Sequence, residues 1–371
     1  MNIGLIAFQN AINYGAVLQM FSLKTKLEEM GHHVEVVNYL CDSVEKGNKL
    51  NRKPYVSKNA KLRLLKMLYL KGKYISTQKD WEEKYNSFKA FREKYLNLTE
   101  SYTLDSDFKS LETYDAVIVG SDQIWNPNIT NGFDPVYFCT FSLDKKVKKI
   151  AYSASCGSIK TIENKSTEFY ELLNNFDYIS AREEELSEFI NIQSNSVRTL
   201  DPSLLLSKEK YNSIAKNPVD ENYLLIYKMQ DNKELYDTAK KIAASKGLKI
   251  IELGFSPFTG NKDIKYVPNA SPEEFLGYFN NASFVITNSF HGTAFSIKYN
   301  KEFLTVPHRS VGQRMINLLN LLKLDKRIIT ESSQLVISKL EKINYSNVNL
   351  LLEKEIESSL SYLMTSLKEV N

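Results

Sequence analysis

Apolar and polar positions alternate along most of this chain in blocks that read as strand, helix, strand. Residues 2–8 are a compact apolar run, and Val17, Leu18, Phe21, Leu23 and Leu27 then recur at helical spacing as far as Met30. Gly31 stops that helix, and residues 34–39 return to strand-like composition. A β-α-β unit of this length predicts a right-handed crossover and a parallel sheet. Buried strands are also expected over 114–120, 149–152 and 178–180, with a helix over about 164–174. After Asp201-Pro202, read as a linker, the alternation restarts. Strands are expected over 223–227, 249–253, 284–287 and 303–306. Helices are expected over 233–246 (closed by Gly247), from the capped start Ser271-Pro272-Glu273-Glu274, and around 315–322. A long amphipathic helix is expected over 349–367.

These blocks divide the chain into a Rossmann-like half over 1–203, a second over 204–345, and a closing helix over 346–371 that packs across both. The expected class is α/β, with two Rossmann-like domains facing a crevice. A length of 371 residues suits two such domains. The 43% apolar and 25% charged residues are those of a soluble globular protein. A net charge of +4 does not argue for nucleic acid. No run approaches the ~18 apolar residues a membrane span needs, and no basic stretch precedes the first apolar run, so no signal peptide is expected. Cys41, Cys139 and Cys156 are scattered and lack metal spacing. They are expected to be reduced thiols in a cytoplasmic protein, with no metal bound, and Cys156 is expected to be a buried filler rather than a nucleophile.

One segment departs from this picture. Residues 46–76 hold ten lysines and arginines, from Lys46 to Lys73, and no acid, with Leu62, Leu65 and Tyr69 sharing a helical face. Together with a helix over 81–95 they form a basic helical insertion, 46–95. Two readings stand side by side: a solvated insertion, or a patch that docks on an anionic membrane surface.

Candidate chemistry gathers at strand ends. Residues 284–287 run straight into Asn288-Ser289-Phe290-His291-Gly292-Thr293 and then into a helical pattern. Strand, tight turn and helix place free N–H groups and His291 at the carboxyl edge of a sheet, where an anion is the natural guest. His291 acts there as an acid or phosphate ligand, or it only caps the helix. Asp122 follows the 114–120 strand and either takes a proton from a sugar hydroxyl or shapes its loop through an Asx-turn. Arg182 follows the 178–180 strand. It either clamps an anion with two bonds or pairs with the glutamates Glu183–Glu185 beside it. Asn13 and Gln19, after the first strand, are candidate ligand contacts, although Asn13 also suits a helix cap.

The block around His291 resembles the N-S-F-H-G-T-A-F-S signature of the polysaccharide pyruvyl transferase family. Five further segments agree in order: Asn13-Tyr14-Gly15-Ala16-Val17-Leu18-Gln19, Gly120-Ser121-Asp122-Gln123-Ile124-Trp125-Asn126-Pro127, Tyr152-Ser153-Ala154-Ser155-Cys156-Gly157, Ile179-Ser180-Ala181-Arg182-Glu183 and Asp201-Pro202-Ser203-Leu204-Leu205. The likeness covers roughly residues 1 to 330. It implies a glycosyltransferase-B-like fold and transfer of pyruvate from phosphoenolpyruvate onto two hydroxyls of a sugar, releasing phosphate, with no cofactor and no nucleic acid. The acceptor is expected to be a polysaccharide precursor, lipid-linked and met at the inner face of the membrane. His291 and Asp122 are then expected to be catalytic. Arg182, Ser289, Gly292, Thr293 and Arg314 are expected on the donor, and Asn13, Gln19, Gln123 and Trp125 on the acceptor. One departure stands out: another branch of the family carries arginine where this chain has Ser289, and Arg309, Arg314 and Lys298 are the nearest replacements. The alternatives are a nucleotide-sugar glycosyltransferase of the same fold, and a non-catalytic protein docking on membrane or RNA.

Overall fold

The computed structural model describes residues 1–48, 63–219, 221–254, 263–307 and 312–368, without side chains at 63–77 and 334. The expected α/β class is what the structure has, in two parallel sheets. The first has seven strands: β1 (Asn2–Ile6), β2 (His33–Tyr39), β3 (Leu98–Tyr102), β4 (Ala116–Gly120), β5 (Lys148–Ala154), β6 (Tyr178–Ala181) and β7 (Val197–Arg198), in the order β3-β2-β1-β4-β5-β6-β7. The second has β8 (Tyr223–Tyr227), β9 (Lys249–Leu253), β10 (Ile264–Val267), β11 (Phe284–Thr287) and β12 (Phe303–Thr305), in the order β10-β9-β8-β11-β12. Each sheet reverses its winding once, between β1 and β4 and between β8 and β11. Ligands of doubly wound folds bind at the carboxyl ends of strands flanking such a reversal. The turn after β4 carries Asp122, and the first turn of the helix that follows β11 carries His291.

Central strands are sealed on both faces. Every residue of β4, β8 and β11 is buried, as continuous β-branched, leucine and aromatic runs dictate for strands covered by helices on two sides. Gly31 and Gly247 end their helices at φ +89° and +61°, as read from the sequence. The Ser271–Glu274 capping box is formed in both directions. Three strands escaped the sequence reading: β3 carries Thr, Glu and Ser, β7 is only two residues long, and β10 carries a lysine. Each is an edge strand with little burial to print an apolar pattern.

The halves meet in a tight seam. Tyr14, at the start of the helix Tyr14–Glu29, donates its hydroxyl to the Ala270 carbonyl at 2.7 Å and stacks on Phe275. Ser22 of the same helix bonds the hydroxyl of Tyr211. The closing helix Tyr345–Leu367 begins against the second half, where Tyr345 donates to the Lys301 carbonyl. It ends against the first, where Ser359 accepts from the Leu200 N–H and Tyr362 donates to the Ala151 carbonyl.

Arg63–Tyr95 is one helix, longer than the 81–95 expected. Of the basic segment read as a membrane-docking patch, residues 49–62 lie outside the described residues and 63–76 are described in backbone only. Lys46 is described and forms an exposed pair with Asp42 one turn away. Among the described residues no helix is long and apolar enough to cross a membrane.

Candidate active site

Asp201 is the hub of the site. It opens a short 3-10 turn after β7, is 1% exposed, and spends Oδ1 on the N–H and hydroxyl of Ser203. Its Oδ2 accepts from Ser121 Oγ at 3.1 Å and Arg182 Nη1 at 2.9 Å, and lies 3.7 Å from His291 Nε2. One carboxylate oxygen thus ties Arg182 of the first half to His291 of the second. Burial by itself would raise the Asp201 pKa. The His291 and Arg182 interactions and the Ser203 bond outweigh it, and the carboxyl is held well below the usual range.

Arg182 sits directly after β6 with a side chain 3% exposed, ringed by three carboxylates: Asp201, Glu183 (Nε to Oε1, 3.2 Å) and Asp122 (3.9 Å). Burial would lower its pKa, but Glu183, Asp201 and Asp122 raise it overall, so the guanidinium stays charged. Its plane lies over the Phe290 ring at 4.9 Å, and Arg314 approaches the same ring at 6.0 Å. Burial and the facing Arg182 charge lower the Arg314 pKa, a repulsion that an anion between the two would relieve. Three buried nitrogens here carry no hydrogen bond: Arg182 Nη2, Arg314 Nε and His291 Nε2. Such orphans are rare in native proteins and point to a missing partner.

The His291 ring fits because residue 15 is glycine. A Cβ on Gly15 would stand 1.9 Å from His291 Nδ1, so the amino-terminal Asn-Tyr-Gly segment and the His-Gly segment interlock across the seam. Gly15→Ala is expected to push the imidazole off Asp201. It should cut turnover far more than it lowers the melting temperature, since overpacking costs typically about 1–3 kcal/mol. Activity and melting curves on the one variant check this.

Several residues expected at the ligands have structural work instead. Ser289, not His291, caps the helix Phe290–Lys298, accepting from the Gly292 N–H at 3.3 Å. The Thr293 N–H is taken by the Ser289 carbonyl, and its hydroxyl bonds that carbonyl and Thr305. Gly292 packs where a Cβ would meet Thr287 Oγ1 at 2.1 Å. Neither Gly292 nor Thr293 therefore offers a free donor to an anion. Trp125, read as an acceptor contact, is fully buried among Phe138, Phe169 and Phe176, its indole N–H on the Tyr137 carbonyl. Gln19 is fully buried, and neither its amide nitrogen nor its amide oxygen has a hydrogen-bond partner. Asn13 caps its helix through the N–H groups of Gly15 and Ala16. Gln123 packs on Gly157 and accepts from Asn126, and Asp122, at φ +66°, turns its Oδ1 onto the Gln123 N–H. Lys298 lies at the far end of its helix, among Lys26, Glu209 and Glu353. Arg309 lies outside the described residues.

Sequence reasoning gave Asp201 no role beyond a linker in a motif segment, and Glu183 none beyond pairing with Arg182 at a helix start. The available signal was that each stands directly beyond a strand of one sheet. Cys156 is 1% exposed, and burial together with Glu183 pushes its thiol up to about 12. Alkylation of the native protein by iodoacetamide at pH 8 is therefore expected to lag far behind that of the urea-unfolded chain, by mass spectrometry of the labelled peptide.

Two cavities open beside Arg182. One, of about 420 Å³, is lined by Arg182, Glu183, Asp201, Phe290, Arg314 and Asn317 among others. The other, of about 220 Å³, shares Glu183, Glu185, Arg314 and Asn317 with it and reaches Gly157. Asn317 Nδ2 spans from the second half to both carboxylate oxygens of Glu185, at 3.0 and 2.9 Å. Among the described residues no group of three or more His, Cys, Asp or Glu is placed to hold a metal ion.

Two parallel α/β halves, with charged groups gathered where their strand ends meet, define a doubly wound protein with a candidate site between the halves. The chain belongs to the polysaccharide pyruvyl transferase family, whose model matches residues 13–310. No curated protein matches it. Among solved structures it is similar to a UDP-GlcNAc 2-epimerase from Methanocaldococcus jannaschii (14% identity, TM-score 0.47, covering 98% of this chain and 100% of that one). It is also similar to a glycosyltransferase from Streptomyces nogalater (9% identity, TM-score 0.42, 99% of each chain).

Proposed function

We propose that this protein moves the pyruvyl group of phosphoenolpyruvate onto two hydroxyls of one hexopyranoside, forming a cyclic ketal and releasing inorganic phosphate. Family membership supports a transferase in polysaccharide biosynthesis. The observation that carries the donor assignment is a pair of buried guanidinium nitrogens without a hydrogen bond, Arg182 Nη2 and Arg314 Nε, beside the Phe290 ring in one cavity, with the His291 ring edge-on to the same phenyl and its Nε2 also without a hydrogen bond.

In this reading the donor's carboxylate and phosphate lie between the two guanidiniums, where planar forks match planar and tetrahedral oxyanions. His291, its Nε2 3.7 Å from Asp201 Oδ2, protonates the methylene carbon. The adjoining carbon becomes electrophilic and takes the first sugar oxygen, whose proton passes to a base. The C–O bond to phosphate then breaks, and the second hydroxyl closes the ring, its proton restoring His291. Asp122, Glu183 and Asp201 keep Arg182 charged through the cycle.

The test is phosphate release from phosphoenolpyruvate, measured with a panel of methyl hexopyranosides bearing free 4,6- or vicinal hydroxyls. Sugar-dependent release supports the proposal. Absence of release with every sugar contradicts transfer to simple hexopyranosides.

A further inference from the structure

Three carboxylates surround Arg182, and they are not equivalent. Asp201 has both oxygens occupied, by Ser203 on one side and by Ser121 and Arg182 on the other. Asp122 gives Oδ1 to the Gln123 N–H and lines neither cavity. Glu183 is 8% exposed and lines both cavities. Its Oε1 is held by Ser155 Oγ at 2.7 Å and Arg182 Nε at 3.2 Å, while its Oε2 is buried and carries no hydrogen bond. A carboxylate fixed through one oxygen, with the other free of hydrogen bonds, on a residue that lines both cavities beside the donor's cations, is suited to act as a base for a ligand hydroxyl. We propose that Glu183, rather than Asp122, takes the proton from the attacking sugar hydroxyl. This rests on the transfer reading above.

The proton moves from the sugar oxygen to Oε2 as that oxygen bonds the central carbon of the donor. The released phosphate carries the electron pair of the broken C–O bond and collects the proton from Oε2, returning Glu183 to its carboxylate. The far wall of the larger cavity suits the same assignment. Asn320 brings an amide and Glu188 a carboxylate to this wall, while Asn317 and Glu185 bond each other and Glu184 pairs with Arg198. Such groups bind sugar hydroxyls.

The experiment uses phosphoenolpyruvate and the methyl hexopyranoside panel with wild type, Glu183→Gln and Glu183→Ala. Glu183→Gln keeps an oxygen for Ser155 and Arg182, so phosphoenolpyruvate affinity by titration calorimetry should stay within a few-fold of wild type. Its kcat should fall about 10²–10⁴-fold, the usual contribution of one acid or base. Formate, a small carboxylate that fits the space left by Glu183→Ala, should restore part of kcat there, while chloride at equal concentration and formate on His291→Ala should not. Near-wild-type kcat in Glu183→Gln overturns the proposal. So does lost phosphoenolpyruvate affinity with no rescue by formate, which would mark Glu183 as a support for Arg182. A wild type that releases no phosphate with any sugar overturns the transfer reading, and this one with it.

Discussion

Asp201→Ala is expected to cost about 3–5 kcal/mol of unfolding free energy, the usual consequence of removing one partner of a buried ion pair. Asp201 is 1% exposed and Arg182 is 7% exposed, so water cannot replace the missing charge. The loss of Ser121 and Ser203 as donors adds to the same side. Were Asp201 only the cap of its short turn, the cost would be about 0.5–2 kcal/mol. Urea titration separates these values. The pH dependence has a defined sign. Because the folded-state carboxyl titrates below the unfolded value of about 3.9, its stabilisation is fully present above that pH. It is lost as pH falls from about 4 toward the lower folded value. The variant should lack this acid-sensitive component.

His291→Ala is expected to lower kcat about 10²–10⁴-fold while leaving the helix Phe290–Lys298 formed. The structure separates the two roles the sequence left open: Ser289 supplies the cap, and His291 turns its ring toward Asp201. Loss of stability with activity retained would contradict this assignment. His291→Gln refines it, because an amide keeps hydrogen bonding but cannot protonate carbon. Phosphate release and melting temperature, measured on both variants, check the prediction.

Much of the fold was legible because central parallel strands must be apolar along their whole length. Tyr223–Tyr227 and Lys249–Leu253 appear with the bounds the sequence indicated. Helix ends were legible where Gly31, Gly247 or the Ser271 box fixed the backbone. The edge strands β3, β7 and β10 were not, since their faces are half solvated. In the site, position relative to strand ends identified His291 and Arg182, and the structure joins them through Asp201. What the sequence could not separate was a polar residue facing the ligand from one serving the loop. Ser289, Thr293, Asn13 and Gln123 stand in motif segments as bonded scaffold, and Trp125 supports its loop from within an aromatic core. A tryptophan in a loop carries no mark of which way it turns. Glu183 shows the converse. Three glutamates at a helix start satisfy the dipole equally well, and only the packing singles out the one with a buried oxygen that carries no hydrogen bond.

The most direct test of the account is mass spectrometry of a hexopyranoside acceptor after incubation with the protein and phosphoenolpyruvate. The account predicts a product heavier by one pyruvate less one water, stable to base and cleaved by mild acid as a ketal is, formed with one phosphate per sugar and absent with His291→Ala. An acceptor left unchanged by phosphoenolpyruvate but extended by a whole sugar from a nucleotide sugar would contradict it.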